Sequence, residues 1–63
     1  MDKTYEVQVW HEEGAWRAEV YVVNARTGER LDELNTNIHH DYLGNVMSYV
    51  AQAISDYERE AGK

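Results

Sequence analysis

Residues 5–23 read Tyr5-Glu6-Val7-Gln8-Val9-Trp10-His11-Glu12-Glu13-Gly14-Ala15-Trp16-Arg17-Ala18-Glu19-Val20-Tyr21-Val22-Val23, and the alternation in this stretch decides the fold. Odd positions are apolar before the turn, and the even positions Trp16, Ala18, Val20 and Val22 are apolar after it. A period of two is the mark of a half-buried strand, and Gly14 supplies a residue that takes positive φ in the intervening turn. One register satisfies both strands: Tyr5, Val7 and Val9 beside Trp16, Ala18, Val20 and Val22, since a slip of one residue sets them beside charged groups. The second face then carries Glu6, Gln8, Trp10, Ala15, Arg17, Glu19, Tyr21 and Val23.

Beyond the hairpin, Thr27-Gly28 signals a turn, and Glu29–Leu34 is expected as a short edge strand whose charges discourage pairing with another chain. An ordered loop is the alternative there. Asn35-Thr36-Asn37-Ile38-His39-His40-Asp41 is polar and reads as a connector. From about Asp41 to Glu60, the apolar residues Tyr42, Leu43, Val46, Met47, Val50, Ala53, Ile54 and Tyr57 recur at steps of three and four, predicting an amphipathic helix. Asp41 is the expected N-cap, with Thr36 or Asn37 as earlier starts, and Gly62 falls near the expected end. Gly44 near the helix start implies either a close neighbour or a late start.

The predicted architecture is therefore α+β, one small domain over residues 1–63: a three-stranded antiparallel meander packed against one C-terminal helix (β-β-β-α). Its expected core joins Tyr5, Val7, Val9, Trp16, Ala18, Val20 and Val22 to Val46, Met47, Val50, Ala53, Ile54 and Tyr57. At 63 residues and 7.4 kDa such a domain holds one core and a stability on the order of 3–9 kcal/mol. With no cysteine, no disulfide adds to that. Self-association is then a source of further stability.

Twelve acidic against six basic side chains give a net charge of −6, which disfavours direct binding to nucleic acid or an acidic membrane surface. No apolar run approaches the ~18 residues of a membrane span and no signal-peptide pattern opens the chain, so a cytoplasmic protein is expected. The densest chemical cluster, His39-His40-Asp41, lacks ligand spacing: the residues four on are Leu43, Gly44 and Asn45. Neither a metal nor a cofactor is expected. Ser48 and Ser55 have no histidine nearby in sequence, and glycines 14, 28, 44 and 62 form no phosphate loop. The chain is expected not to be an enzyme.

Two surfaces are candidates for protein binding. The first is the second sheet face, where Trp10, Tyr21 and Val23 are expected at the centre with Glu6, Arg17 and Glu19 as a polar rim, an arrangement typical of interfaces. A homodimer would bury two such faces at once. The second is the acidic set Glu29, Asp32, Glu33, Asp56, Glu58 and Glu60, whose carboxylates could imitate phosphates toward a nucleic-acid-binding protein or a nuclease. Small size, acidity and missing catalytic groups also suit an inhibitor of the kind that phages and mobile elements carry.

The pattern Tyr5, Val7, Val9, a turn with Gly14, then Trp16, Ala18 and Val20 resembles the opening hairpin of HicB-like antitoxin domains. The likeness covers about twenty residues and implies a small, often oligomeric protein that neutralises an RNase toxin. It carries no functional residue across. After the second strand this chain has Asn24-Ala25-Arg26-Thr27-Gly28 where that family has a proline-, glycine- and cysteine-containing segment.

Overall fold

The computed structural model describes residues 2–62. Its elements run β1 (Lys3–Glu12), β2 (Ala15–Asn24), β3 (Arg30–His40) and α1 (Leu43–Ala61). The strands form one antiparallel sheet in the order β1-β2-β3, with α1 packed on β2 and β3. This is the expected β-β-β-α fold. Valine, tyrosine, tryptophan and threonine, the residue types that fit a pleated surface, dominate β1 and β2.

The hairpin register is the one that alternation requires: Tyr5↔Val22, Val7↔Val20, Val9↔Ala18 and His11↔Trp16. Its turn consists of Glu13 at φ 53° and Gly14 at φ 78°. Two consecutive positive φ values define the hairpin turn whose twist matches that of its strands. The next turn is built on Asn24, whose Oδ1 accepts from the backbone N–H of Arg26 at 2.8 Å and of Thr27 at 3.3 Å, while its carbonyl accepts from Gly28 N–H at 2.8 Å.

The third strand is a correction. It begins at Arg30 and continues to His40, so the polar stretch expected to be a connector is paired backbone. Ala18 lies opposite Ile38 and Val20 opposite Asn35; Tyr21 then pairs with Glu33, Val22 with Asp32 and Val23 with Arg30. At three places β3 advances one residue more than β2, so 11 residues of β3 oppose the eight from Trp16 to Val23. Each bulge resets the side-chain alternation, which hides the strand from a period-of-two reading.

The helix also starts later than expected. Tyr42, extended at φ −113° and ψ 131°, is the N-cap and makes no side-chain capping hydrogen bond. Asp41 does not cap, and Thr36 and Asn37 belong to β3 rather than to an early first turn. Instead the backbone N–H of Tyr42 donates to His40 Nδ1 at 3.1 Å, closing the corner between strand and helix. Gly44 is thus the second helical residue, and a Cβ there would meet nothing within 4 Å. A late start, not a close neighbour, accounts for it. Gly62 does follow the helix, and its N–H donates to the Glu58 carbonyl at 3.0 Å.

Ala18, Val20, Ile38, Val46 and Val50 form the buried centre, with Trp16, Leu34 and Ile54 packed against it. Because α1 lies mainly over β2 and β3, Tyr5 meets the helix only at its far end and the Val7 and Val9 part of the expected core is not covered. Val7 and Val9 are each 37 % exposed and Met47 is 44 % exposed. Ile38, assigned to the connector in the sequence reading, takes their place at 4 % exposure.

Candidate functional site

The second sheet face differs from its expected form at the centre. Tyr21 and Val23 are 9 % and 6 % exposed, although the helix lies on the other side. Arg30, at the start of β3 and opposite Val23 in the ladder, covers Tyr21: its guanidinium carbon lies 3.9 Å from the ring centre. The same guanidinium donates to Glu6 Oε1 through Nε at 3.0 Å and through a second nitrogen. The Tyr21 hydroxyl donates to Glu19, and that bond, ahead of removal from water, raises the phenol above its ordinary value. Glu6, Glu19, Tyr21 and Arg30 therefore satisfy one another. The face is closed by a cation stacked on an aromatic ring, not left open as a hot spot.

On the rest of that face Trp10, Ala15 and Arg17 are half-buried and Gln8 is exposed. Trp10 stands opposite Arg17, whose Nε lies 3.6 Å from Glu12 Oε1 and whose Nη2 lies 4.0 Å from Glu13 Oε2. Among the described residues the Arg17 Nε has no hydrogen-bond partner. Glu6, Arg17 and Glu19 thus lie around a face on which Arg30 covers Tyr21 and Trp10 stays half-buried.

The acidic set divides. Glu33, Asp56 and Glu60 come together along the seam between β3 and α1, where with Leu34, Ala53 and Tyr57 they line a groove of about 400 Å³. A second hollow of about 310 Å³ shares Ala53 and Asp56 and continues the seam past Ile38, His39, Tyr49 and Gln52. Gln52 donates to Asp56 at 2.8 Å, and Arg59 also donates to it. Thr36 donates to Glu33 at 3.1 Å. Glu29 lies in the turn before β3 and Asp32 on β3 itself, both exposed. The sequence pointed to the acids, and to Tyr49 at the margin of the helix stripe, but did not group His39 and Gln52 with them. Those residues join the seam only because the bulged β3 extends to His40 beside the helix.

Glu58 faces the opposite flank. The Tyr5 hydroxyl donates to it, Lys3 Nζ lies 3.3 Å away, and the Tyr5 and Tyr57 rings meet edge to face at 6.3 Å between centres. The hydrogen bond from Tyr5 and then that from Lys3 hold Glu58 below the ordinary 4.5, while burial and then the bond to Glu58 push Tyr5 up to about 12. A lowered carboxylate stabilises the fold above its unfolded value, and that stability is lost as pH falls through the folded value. A raised phenol contributes fully below its ordinary 10.0 and is lost as pH climbs toward 12. Glu58→Gln should therefore flatten the acid limb of stability against pH, read as the urea midpoint between about pH 2 and 6. An acid limb as steep as that of the wild type would remove Glu58 from this role.

The histidines are dispersed in their contacts. His11 lies edge-on to Trp16 at 5.0 Å, His40 lies 5.7 Å from Tyr42 and 6.3 Å from Tyr49, and His39 Nδ1 is 3.3 Å from the Asn37 carbonyl. Among the described residues no three His, Asp or Glu side chains group to hold a metal ion, and no helix is long and apolar enough to cross a membrane. No family model, curated protein or solved structure matches the chain.

Proposed function

We propose that this chain is a non-enzymatic interaction module that regulates or inhibits a protein partner by covering a basic surface on it. The observation that carries this reading is the seam between β3 and α1, where Glu33, Asp56 and Glu60 surround the apolar side chains of Leu34 and Tyr57. Apolar floor and charged rim is how interfaces are composed. A net charge of −6 steers such a surface toward cationic partners. Nucleic-acid-binding proteins and nucleases present surfaces of that kind, and the hairpin's resemblance to HicB-like antitoxins points to an RNase in the same role. Inhibitors of the type carried by phages and other mobile elements work in this manner. The protein would act in the cytoplasm.

The test is capture from source-cell lysate by the tagged wild type beside a Glu33→Lys/Asp56→Lys/Glu60→Lys variant, followed by a salt and nucleic-acid titration of the captured protein. The expected result is a partner retained by the wild type, bound several-fold more weakly by the variant and less tightly as salt rises. Competition by DNA or RNA would identify the acids as phosphate mimics. A partner held equally by both proteins and insensitive to salt would refute the seam as the binding surface.

A further inference from the structure

The two edges of the sheet are unlike. β3 carries three bulges, whereas β1 matches β2 residue for residue from Lys3↔Asn24 to Glu12↔Ala15. The outer row of backbone N–H and C=O groups on β1 is thus ten residues long and regular, the kind of edge that adds a strand unless something blocks it. Lys3, Glu6 and Glu12 are its charged residues. Beside it the sheet is uncovered, with Val7 and Val9 each 37 % exposed. On the helix, Met47 lies eleven residues before Glu58, which reaches Tyr5. At about 100° per residue the two point within about 20° of each other, so the exposed Met47 lies on the same side of the helix as Glu58.

We propose that β1 pairs antiparallel with β1 of a second copy of this chain about a two-fold axis at Gln8, making a continuous six-stranded sheet. The register follows from parity, charge and the length of strand paired, since axes near either end of β1, at Tyr5 or Trp10, leave half of the edge unpaired. Keeping each side chain on its own face requires the axis to pass through a residue. An axis at Glu6 sets Glu6 against itself, one at Val7 sets Asp2 against Glu12, and one at Val9 sets Glu6 against Glu12. Opposed like charges destabilise a pair of strands. The axis at Gln8 sets Val7 against Val9, Tyr5 against His11, Glu6 against Trp10 and Lys3 against Glu13 of the turn. It opposes no like charges and brings the valines of the two copies together.

The contact is modest in size. A ten-residue edge is about 33 Å long, and with the molecule's least dimension of 14 Å it gives a strip of about 460 Å² per copy. That is short of the ~800 Å² of a standard interface, so the dimer is a concentration-dependent one. Each copy carries −6, and salt, by screening that repulsion, strengthens the association. Binding of a basic partner at the β3 and α1 seam responds to salt in the opposite sense, so the two proposals fail separately.

The chain has no cysteine, which makes single-cysteine variants clean reporters. Across the axis the two copies of residue 8 have Cα atoms about 4.5–5.5 Å apart, within the range a disulfide spans, whereas residue 7 or 9 is offset from its own copy by two positions and beyond about 7 Å. On mild oxidation Gln8→Cys is expected to cross-link at least about tenfold faster than Val7→Cys or Val9→Cys alone. Mixing Val7→Cys with Val9→Cys chains should restore the fast reaction. Sedimentation of the wild-type chain should show monomer passing to dimer with concentration, more so at high salt. A wild type that stays monomeric at millimolar concentration overturns the proposal, as does cross-linking equally fast at all three positions or fastest at residue 7 or 9.

Discussion

Ile38→Ala is expected to lower stability by about 2–5 kcal/mol, the usual cost of removing a large aliphatic side chain from a packed core. Ile38 is 4 % exposed and touches the group formed by Ala18, Val20, Val46 and Val50. It sits opposite Ala18 in the ladder and beneath the helix. In a domain of 63 residues with a total stability on the order of 3–9 kcal/mol, that loss is a large fraction of the whole. Urea denaturation followed by circular dichroism is the measurement, with Leu31→Ala as the control. Leu31 is on the same strand but 40 % exposed, and its truncation should cost less than about 1 kcal/mol. Equal, small effects at the two positions would mean that residues 35–40 are a solvated connector after all.

Arg30→Ala is expected to lower stability, from the loss of its stacking on Tyr21 together with its ion pair with Glu6. The side chain is 48 % exposed, which keeps the loss well below that of a buried pair. The more specific consequence is chemical. With the guanidinium gone, the Tyr21 ring is uncovered, so nitration at Tyr21 by tetranitromethane, read by mass spectrometry, should rise several-fold. Arg30→Lys retains the charge but not the planar fork, and should fall between the two. An unchanged nitration rate in Arg30→Ala would show that Tyr21 is shielded by something other than this residue.

These two residues also mark where sequence reasoning reached its limit. The hairpin was legible because its ten-residue strands pair without interruption, so every side chain from Lys3 to Asn24 keeps the parity that alternation assigns. Val46 and Val50 were legible for the same reason on the helix, where spacing by three and four survives from Leu43 to Tyr57. Ile38 was not, because three insertions in β3 change the parity of its side chains within 11 residues. Asn24 sets the turn that returns Arg30 over Tyr21, a contact between residues nine apart. No periodic pattern records such a contact. The acids were legible as a surplus, and only the extended β3 shows that Glu33, Asp56 and Glu60 share a seam while Glu58 faces Tyr5.

The irregular β3 edge has one more effect, at the scale of the assembly. A sheet with two regular edges can stack head to tail, each copy offering one edge to the next, and nothing in such a contact limits the number of copies. Here the straight strand has no straight counterpart on the far side: its ten residues would have to match a backbone that steps out of phase three times and carries the exposed Asp32 and Glu33. The bulged strand acts as a chain terminator. Edge-to-edge growth through that strand is disfavoured, which is a safeguard for a small, strand-rich protein without proline.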